Sequence, residues 1–505
     1  MNYGGNKKPE LLTCLHEESA VAMAHGYAKA AGKPMGVFLH GTVGLQHAAM
    51  DIYNAWVDRV PVIMIAGNGS DANKRRPGTE WNHSVQDAAA MVRDFVKWDD
   101  APASLQHFAQ STVRAYKIAM TPPMEPVLVM ADIDLQEEGI HDTTLKIPKL
   151  SHSIPPMGDS AALAEAAKWL VDAKFPVIVA DRMARSQAGV DALVKLAEAL
   201  GAAVVDMGGR MNFPNQHPLC HSDRRRALVR EADVVLLLEV ADPWGQFNSF
   251  SDPQKIQRYV AAKGVKIVNL SMQDVFIRSN YQDFQRYMPV DLSINGDAQA
   301  SLPALTEQVL KLMTPERQRV AAERAASHGE QARKSRAARR ESAARGWETS
   351  PVTTARLAME TYDVIRNEPW ALVDSAADGD AQQPRLLPGS AAPAAHGGAA
   401  PPSPRHGADR QRDRQPGHSL RTTGAGARRL GRGADCRPQA AQARLAARAG
   451  GGEKRQARAA GRGLPAALNL ALNLVRLSAG LECPSPPGLR RPRRGSGGST
   501  AVALR

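Results

Sequence analysis

A chain of 505 residues has room for about three domains, and its formal charge of +13 would ordinarily point to a nucleic acid or an anionic surface. The charge is unevenly placed: residues 376–505 hold 22 basic and seven acidic side chains, which leaves 42 basic against 44 acidic before them. The body is therefore close to neutral, and a polyanion-binding class is excluded for it.

No apolar run approaches the ~18 residues of a membrane-spanning helix, and no secretory apolar stretch opens the chain. Cys14, Cys220, Cys436 and Cys483 are too scattered for a zinc site or a disulfide framework, so reduced thiols in a soluble, cytoplasmic protein are expected.

The first informative stretch is Leu15–Pro34, LHEESAVAMAHGYAKAAGKP. Read as a helix, Glu17, Ala20, Val21, Ala24, Tyr27, Ala28 and Ala31 recur at steps of three and four and share one face. Glu17 heads that apolar stripe. An acid in a first helical turn complements the helix dipole; alternatively it points into an apolar cleft, where it could share a proton with a ligand.

After Gly32-Lys33-Pro34 comes the apolar run Met35–Leu39, then His40, a glycine-bracketed turn Gly41-Thr42-Val43-Gly44, and a second helical pattern from Leu45 to Trp56. Strand, glycine turn and helix make one step of an α/β sheet, whose ligands collect at the carboxyl ends of strands. His40 sits at such an end, as a satisfied loop residue or as a proton-transfer group.

HEESAVAMAHGYAKAAGKP, LHGTVG and NAWVDRVPVIMIAGN together resemble the pyrimidine-binding domain of thiamine-diphosphate-dependent enzymes, in the group of acetolactate synthases and benzoylformate decarboxylases. Val96-Lys97-Trp98, Ala101-Pro102-Ala103 and the strand Glu125–Ala131 extend the resemblance. It is strong over Leu15–Ile133 and continues more weakly to about Ser375. It implies an α/β fold with doubly wound parallel sheets in two domains.

The resemblance also implies roles. Glu17 falls where the family has the glutamate that hydrogen-bonds the aminopyrimidine ring nitrogen and activates the cofactor toward a 2-oxo acid. His40 matches a leucine-histidine pair of the benzoylformate decarboxylase branch, where the histidine transfers protons; acetolactate synthases usually differ there. Gly41, Gly44 and Gln86 are the further cofactor-binding positions. Thiamine diphosphate with magnesium, and a homodimer or homotetramer, are the implied cofactors and assembly.

The implied division begins with a pyrimidine-binding domain at 1–138. Only 16 residues precede Glu17, and Met1-Asn2-Tyr3-Gly4-Gly5 resembles the end of a missing unit, so either the start is placed too far downstream or the domain is expected to lack its first strand–helix unit. A sheet short of a strand would expose an edge. Val60–Ala66 and Pro126–Ala131 are continuous apolar runs suited to buried strands. Lys74-Arg75-Arg76-Pro77-Gly78 between them reads as a solvated loop.

Residues 139–158, with Pro148, Pro155 and Pro156, form a linker. The central domain at 159–311 alternates helices (Ser160–Ala173, Gly189–Leu200, Arg224–Glu231) with strands (Pro176–Ala180, Ala202–Met207, Asp233–Val240, Lys266–Leu270, Val290–Ile294). This is the pattern of a doubly wound sheet. Some family members hold FAD in this domain. Here Asp181-Arg182-Met183-Ala184-Arg185 follows the first strand where a dinucleotide site needs glycines, so FAD is not expected. Arg224-Arg225-Arg226 reads as solvated surface.

Residues 312–349 read as an exposed connecting helix, and 350–375 as the opening of a third domain, a helix followed by the strand Trp370–Val373. From Ala376 to the end there is no Phe, Tyr, Trp, Met or Ile. Such a composition cannot offset chain entropy, and a disordered tail is expected; only Leu464–Leu477 has helical apolar spacing.

The family's third domain carries a glycine-aspartate-glycine motif that holds metal and diphosphate. None follows Ser375, and Asp378-Gly379-Asp380 has the wrong order. The composition fits a GC-rich gene read in a shifted frame, or a genuine basic tail. Weak cofactor binding and impaired turnover of 2-oxo acids are expected. Two alternatives stay open: a non-catalytic subunit paired with an intact homologue, or non-specific nucleic-acid binding by the tail, which lacks base-stacking aromatics.

Overall fold

The computed structural model describes residues 10–74, 83–139, 144–251, 256–277, 286–368 and 501–504. Two α/β layers carry the described chain, each a largely parallel sheet with helices on both faces. The expected fold class is the one found.

The first layer opens with β1 (Leu11–Cys14), α1 (Glu17–Ala31), β2 (Gly36–Leu39), α2 (Thr42–Val57) and β3 (Ile63–Asn68). After short 3-10 turns come β4 (Trp98–Asp100), α3 (Leu105–Met120), β5 (Val127–Asp132) and α4 (Ile133–Glu137). Helix α1 begins at Glu17 because His16 caps it, accepting from the Glu18 N–H, and ends at Gly32 in the left-handed conformation that glycine adopts without strain. The glycine-bracketed turn is a correction: Thr42, Val43 and Gly44 already belong to α2, and only Gly41 lies outside it.

Side chains of β3 alternate across the sheet. Met64 and Ala66 join Val21, Ala24, Leu45 and Ile52 beneath α1 and α2, while Ile63 and Ile65 join Phe108, Val113 and Val129 beneath α3. The proline-bearing linker adds Leu145, Ile147 and Leu150 to that second face. Gln106 fixes its entry, with both backbone groups of Lys146 paired to the Gln106 amide.

The second layer runs α5 (Ser160–Asp172), β6 (Pro176–Ala180), α6 (Gln187–Leu200), β7 (Ala203–Asp206), α7 (Arg225–Glu231), β8 (Val234–Leu238) and α8 (Pro243–Phe247). It continues through the hairpin β9 (Asn248–Ser251) and β10 (Ile256–Tyr259), then β11 (Lys266–Ser271), α9 (Gln273–Phe276), β12 (Leu292–Asn295) and α10 (Ala298–Leu312). Its parallel strand order is β12-β11-β8-β6-β7. Crossover helices cover both faces, which is why β6 and β8 are uninterrupted apolar runs.

Helix α11 (Pro315–Ala344) corrects the expectation of an exposed connector. Ala321, His328 and Ala332 are buried along one side, and Arg324 donates to the carbonyls of Ala173, Lys174 and Leu200. Gly201, left-handed at the end of α6, has the Ala321 carbonyl where a Cβ would stand. A helix with little apolar periodicity is thus docked through small residues and polar contacts to backbone. Helix α12 (Thr354–Ile365) follows.

β13 (Ala501–Leu504) is the second correction. It lies antiparallel between β1 and β2, giving the order β1-β13-β2-β3-β5-β4. Two strands with open backbone edges on either side of one slot give a third a full set of hydrogen-bond partners. The expected strand Trp370–Val373, the helical spacing Leu464–Leu477, Met1–Gly5 and residues 75–78 lie outside the described residues.

Candidate functional site

The site is built where β2 ends and α1 and α2 begin. Glu17 is fully buried at the head of α1, an environment that charges a carboxylate several kcal/mol unless it is paired. Its Oε2 has a partner, the Nδ1 of His47 at 3.1 Å. Its Oε1 is buried and has no hydrogen-bond partner. A buried carboxylate with one oxygen anchored and the other open is arranged to receive a donor from outside the chain.

Gly44 makes this possible. A Cβ there would stand 3.3 Å from Glu17 Cγ and 3.2 Å from His40 Cβ, so its absence lets α2 reach both side chains. Gly41 has a parallel reason: a Cβ would meet the carbonyl oxygens of Gly67 and His83 at 2.9 Å each. The same His83 carbonyl accepts from the Thr42 N–H at 2.9 Å and from the Thr42 hydroxyl. The β2–α2 junction is therefore clamped to the loop before residue 91.

His40 is exposed at the end of β2, its ring edge-on to His83 with centroids 4.9 Å apart. Glu17, His40, Gly41 and Gly44 thus come together. Gln86 does not join them: it is exposed, it precedes the 3-10 turns Ala89–Met91 and Arg93–Phe95, and no contact among the described residues links it to Glu17 or His40. Its loop is held instead by Asn68, whose amide pairs with both backbone groups of Val85.

Three residues at the site went unremarked in the sequence. His47 is the partner of Glu17. His16 caps α1 and stacks on His47, with centroids 4.8 Å apart and an interplanar angle of 20°. His83 packs on His40. One signal was available for His47: it lies three residues after Gly44 and so shares that residue's helical face.

Behind the site, α1 and α2 are tied to the second layer. His25 and Lys29 of α1 pair with Asp58 Oδ2 at 2.8 and 2.6 Å, and Arg210 donates to Asp58 Oδ1 at 2.9 Å and to its carbonyl at 2.6 Å. Burial works to raise the Asp58 carboxyl, but His25, Arg210 and Lys29 outweigh it and hold the group well below the usual carboxylate range.

Residues 3–91 match the family model described as thiamine pyrophosphate enzyme, N-terminal TPP binding domain, and residues 163–305 match its central domain. Benzoylformate decarboxylase of Pseudomonas aeruginosa is 26% identical over 301 residues, 58% of this chain and 54% of that protein. Sulfoacetaldehyde acetyltransferase of Alcaligenes xylosoxydans xylosoxydans is 26% identical over 307 residues, covering 59% and 48% respectively. The mitochondrial acetolactate synthase catalytic subunit of Aspergillus candidus is 29% identical over 255 residues, covering 44% and 34%. Among solved structures, benzoylformate decarboxylase from Polynucleobacter necessarius aligns with TM-score 0.47 and 23% identity over 59% of this chain and 53% of that one. The chain spans about half the length of the curated relatives it matches.

Proposed function

From the membership of this chain in the thiamine pyrophosphate enzyme family, carried by its N-terminal and central domains, we infer that it belongs to an enzyme acting on 2-oxo acids by decarboxylation or acetolactate-type carboligation, with Glu17 as the residue that activates thiamine diphosphate. The observation behind this reading is the buried, unpartnered Glu17 Oε1, which fits the protonated ring nitrogen of an aminopyrimidine.

When bound, thiamine diphosphate supplies a nucleophilic carbon and an electron sink for cleaving the bond beside the 2-oxo group. The chain's residues do the rest. His47 fixes Oε2 and so turns Oε1 toward the ligand; burial of Glu17 keeps water from competing for the shared proton. Gly44 lets α2 close on Glu17 and His40, and Gly41 lets the β2–α2 junction lie against the Gly67 and His83 carbonyls. His40, exposed at the strand end, is placed to exchange protons with a substrate.

In this reading the metal-diphosphate anchor has no counterpart among the 130 residues after Ser375, which contain no Gly-Asp-Gly. A homodimer then binds the cofactor weakly and turns over slowly. The same absence favours a second reading, a subunit that lends Glu17 to an intact homologue; co-purification with such a homologue separates the two.

Exchange of the cofactor's thiazolium proton in D2O, followed by NMR with thiamine diphosphate and magnesium in excess, tests the role of Glu17 without requiring turnover. The chain is expected to accelerate exchange, and Glu17→Gln to remove at least ~100-fold of that acceleration. Exchange no faster than in free cofactor, or unaltered by Glu17→Gln, overturns the reading.

A further inference from the structure

We propose that His16, Glu17 and His47 form a binding site for a divalent transition-metal ion, with Zn2+ as its best fit. One ligand atom from each of the three lies within 4.8 Å of the others. Two imidazoles and a carboxylate are a donor set that zinc takes in sites keeping a fourth position open. The inference goes beyond the cofactor reading and does not depend on it, although it uses the same carboxylate.

Three observations carry it. The carboxylate is built in: Glu17 is fully buried, and its Oε1 is unpartnered. A buried oxygen without a donor costs about 1–3 kcal/mol, which a cation at the mouth of the pocket would relieve. Next, the two imidazoles are accessible, 46% and 41% exposed, so an ion can reach them from solvent and keep water on its open side.

Finally, the backbone fixes where the rings stand. His16 is the N-cap of α1, its Nδ1 accepting from the Glu18 N–H at 3.3 Å; a neutral imidazole has a single in-plane lone pair, so an ion bound by His16 takes the place of that cap bond. His47 is held over Glu17 by the close approach that Gly44 allows. Zinc bonds of about 2.0–2.1 Å call for ligand atoms roughly 3.3 Å apart. The three ligand atoms lie within 4.8 Å of one another, so the side chains must draw in to reach that spacing. His47 Nδ1 and Glu17 Oε2 stand 3.1 Å apart as a hydrogen bond, and an ion bound between them displaces the proton of that bond.

An ion held here engages the carboxylate that the cofactor reading assigns to the aminopyrimidine, so the two occupants exclude one another. The site is then a point at which free zinc would silence the N-terminal domain.

The test uses the full chain without thiamine diphosphate. Titration with Co2+, followed by visible absorption, is expected to give one saturating ligand-field spectrum that Zn2+ displaces. Zn2+ affinity from competition with a chromophoric chelator is expected to fall at least ~10-fold in His16→Gln and in His47→Gln. Wild-type affinity in both variants overturns the proposal. Should either variant fail to fold, Co2+ broadening of ring-proton NMR signals in the unaltered chain decides: His16 and His47 broadened first supports the site, and other histidines broadened first overturns it.

Discussion

Arg59 and Glu239, 180 residues apart in sequence, meet as a buried ion pair with Nη1 2.8 Å from Oε2. Both sit in the left-handed backbone region, at φ 54° and 49°, where a non-glycine residue needs surrounding contacts to hold it. Glu239 also accepts from the Ser271 hydroxyl and from the Met272 and Ala298 N–H groups. Burial pushes its carboxyl up, and Arg59 opposes that.

Removing one partner leaves the other buried and unpaired. Arg59→Met is expected to cost about 3–5 kcal/mol, read from urea denaturation. Arg59→Met combined with Glu239→Gln should cost less than the sum of the two single changes, because the stranded charge is gone.

Gly44→Ala tests the close approach at Glu17. The new Cβ would press on Glu17 Cγ and His40 Cβ at 3.3 and 3.2 Å, tighter than ordinary contact, so α2 must move outward by a few tenths of an ångström. A small stability change, within about 1–2 kcal/mol, is expected alongside a large loss of cofactor proton exchange. Gly41→Ala, which would meet two backbone carbonyls, should cost more in stability, measurable by thermal denaturation.

Acid should loosen α11. His328 is held down to about 4 by burial, by the neighbouring His221 and by Arg324 and Arg224; burial and then Arg224 also lower His221. The two rings lie 5.1 Å apart. The unfolded chain protonates its histidines near 6.5, so between that value and about 4 it binds more protons than the folded state. Stability present at pH 7 is therefore lost as pH falls through 6.5 toward 4. His328→Phe should flatten that slope in denaturation curves at successive pH values.

Asp58 gives a different pH signature. Its depressed carboxyl contributes stability above the unfolded value near 3.9 that is lost only as pH falls through that value toward the lower folded one. Asp58→Asn should cost about 2 kcal/mol at pH 7, and the difference from the unaltered chain should vanish in strong acid.

Much of the fold was legible because its signals are local. The stripe from Glu17 to Ala31 marks α1, and the apolar runs at Pro176–Ala180 and around Leu236 mark strands covered on both faces. Glu17 stood out because a carboxylate headed an apolar face. What escaped was non-local. His47 meets Glu17 across 30 residues, and Arg59 finds Glu239 only once two layers are packed. β13 pairs with strands hundreds of residues away. The composition of 312–349 suggested an exposed connecting helix, because a docking made of Ala321, Ala332 and arginine-to-carbonyl bonds leaves no apolar period to read.

Arg324 has a mechanical consequence. One guanidinium grips the carbonyl ends of α5 and α6 together, while the helix bearing it continues for another twenty residues to Ala344. At ~1.5 Å per residue that is about 30 Å of helix, and it is held again farther along, where Asp223 accepts from the Ser335 hydroxyl and the Arg339 guanidinium. Gripped at both places, the helix is a strut that ties the ends of α5 and α6 to the turn ahead of α7.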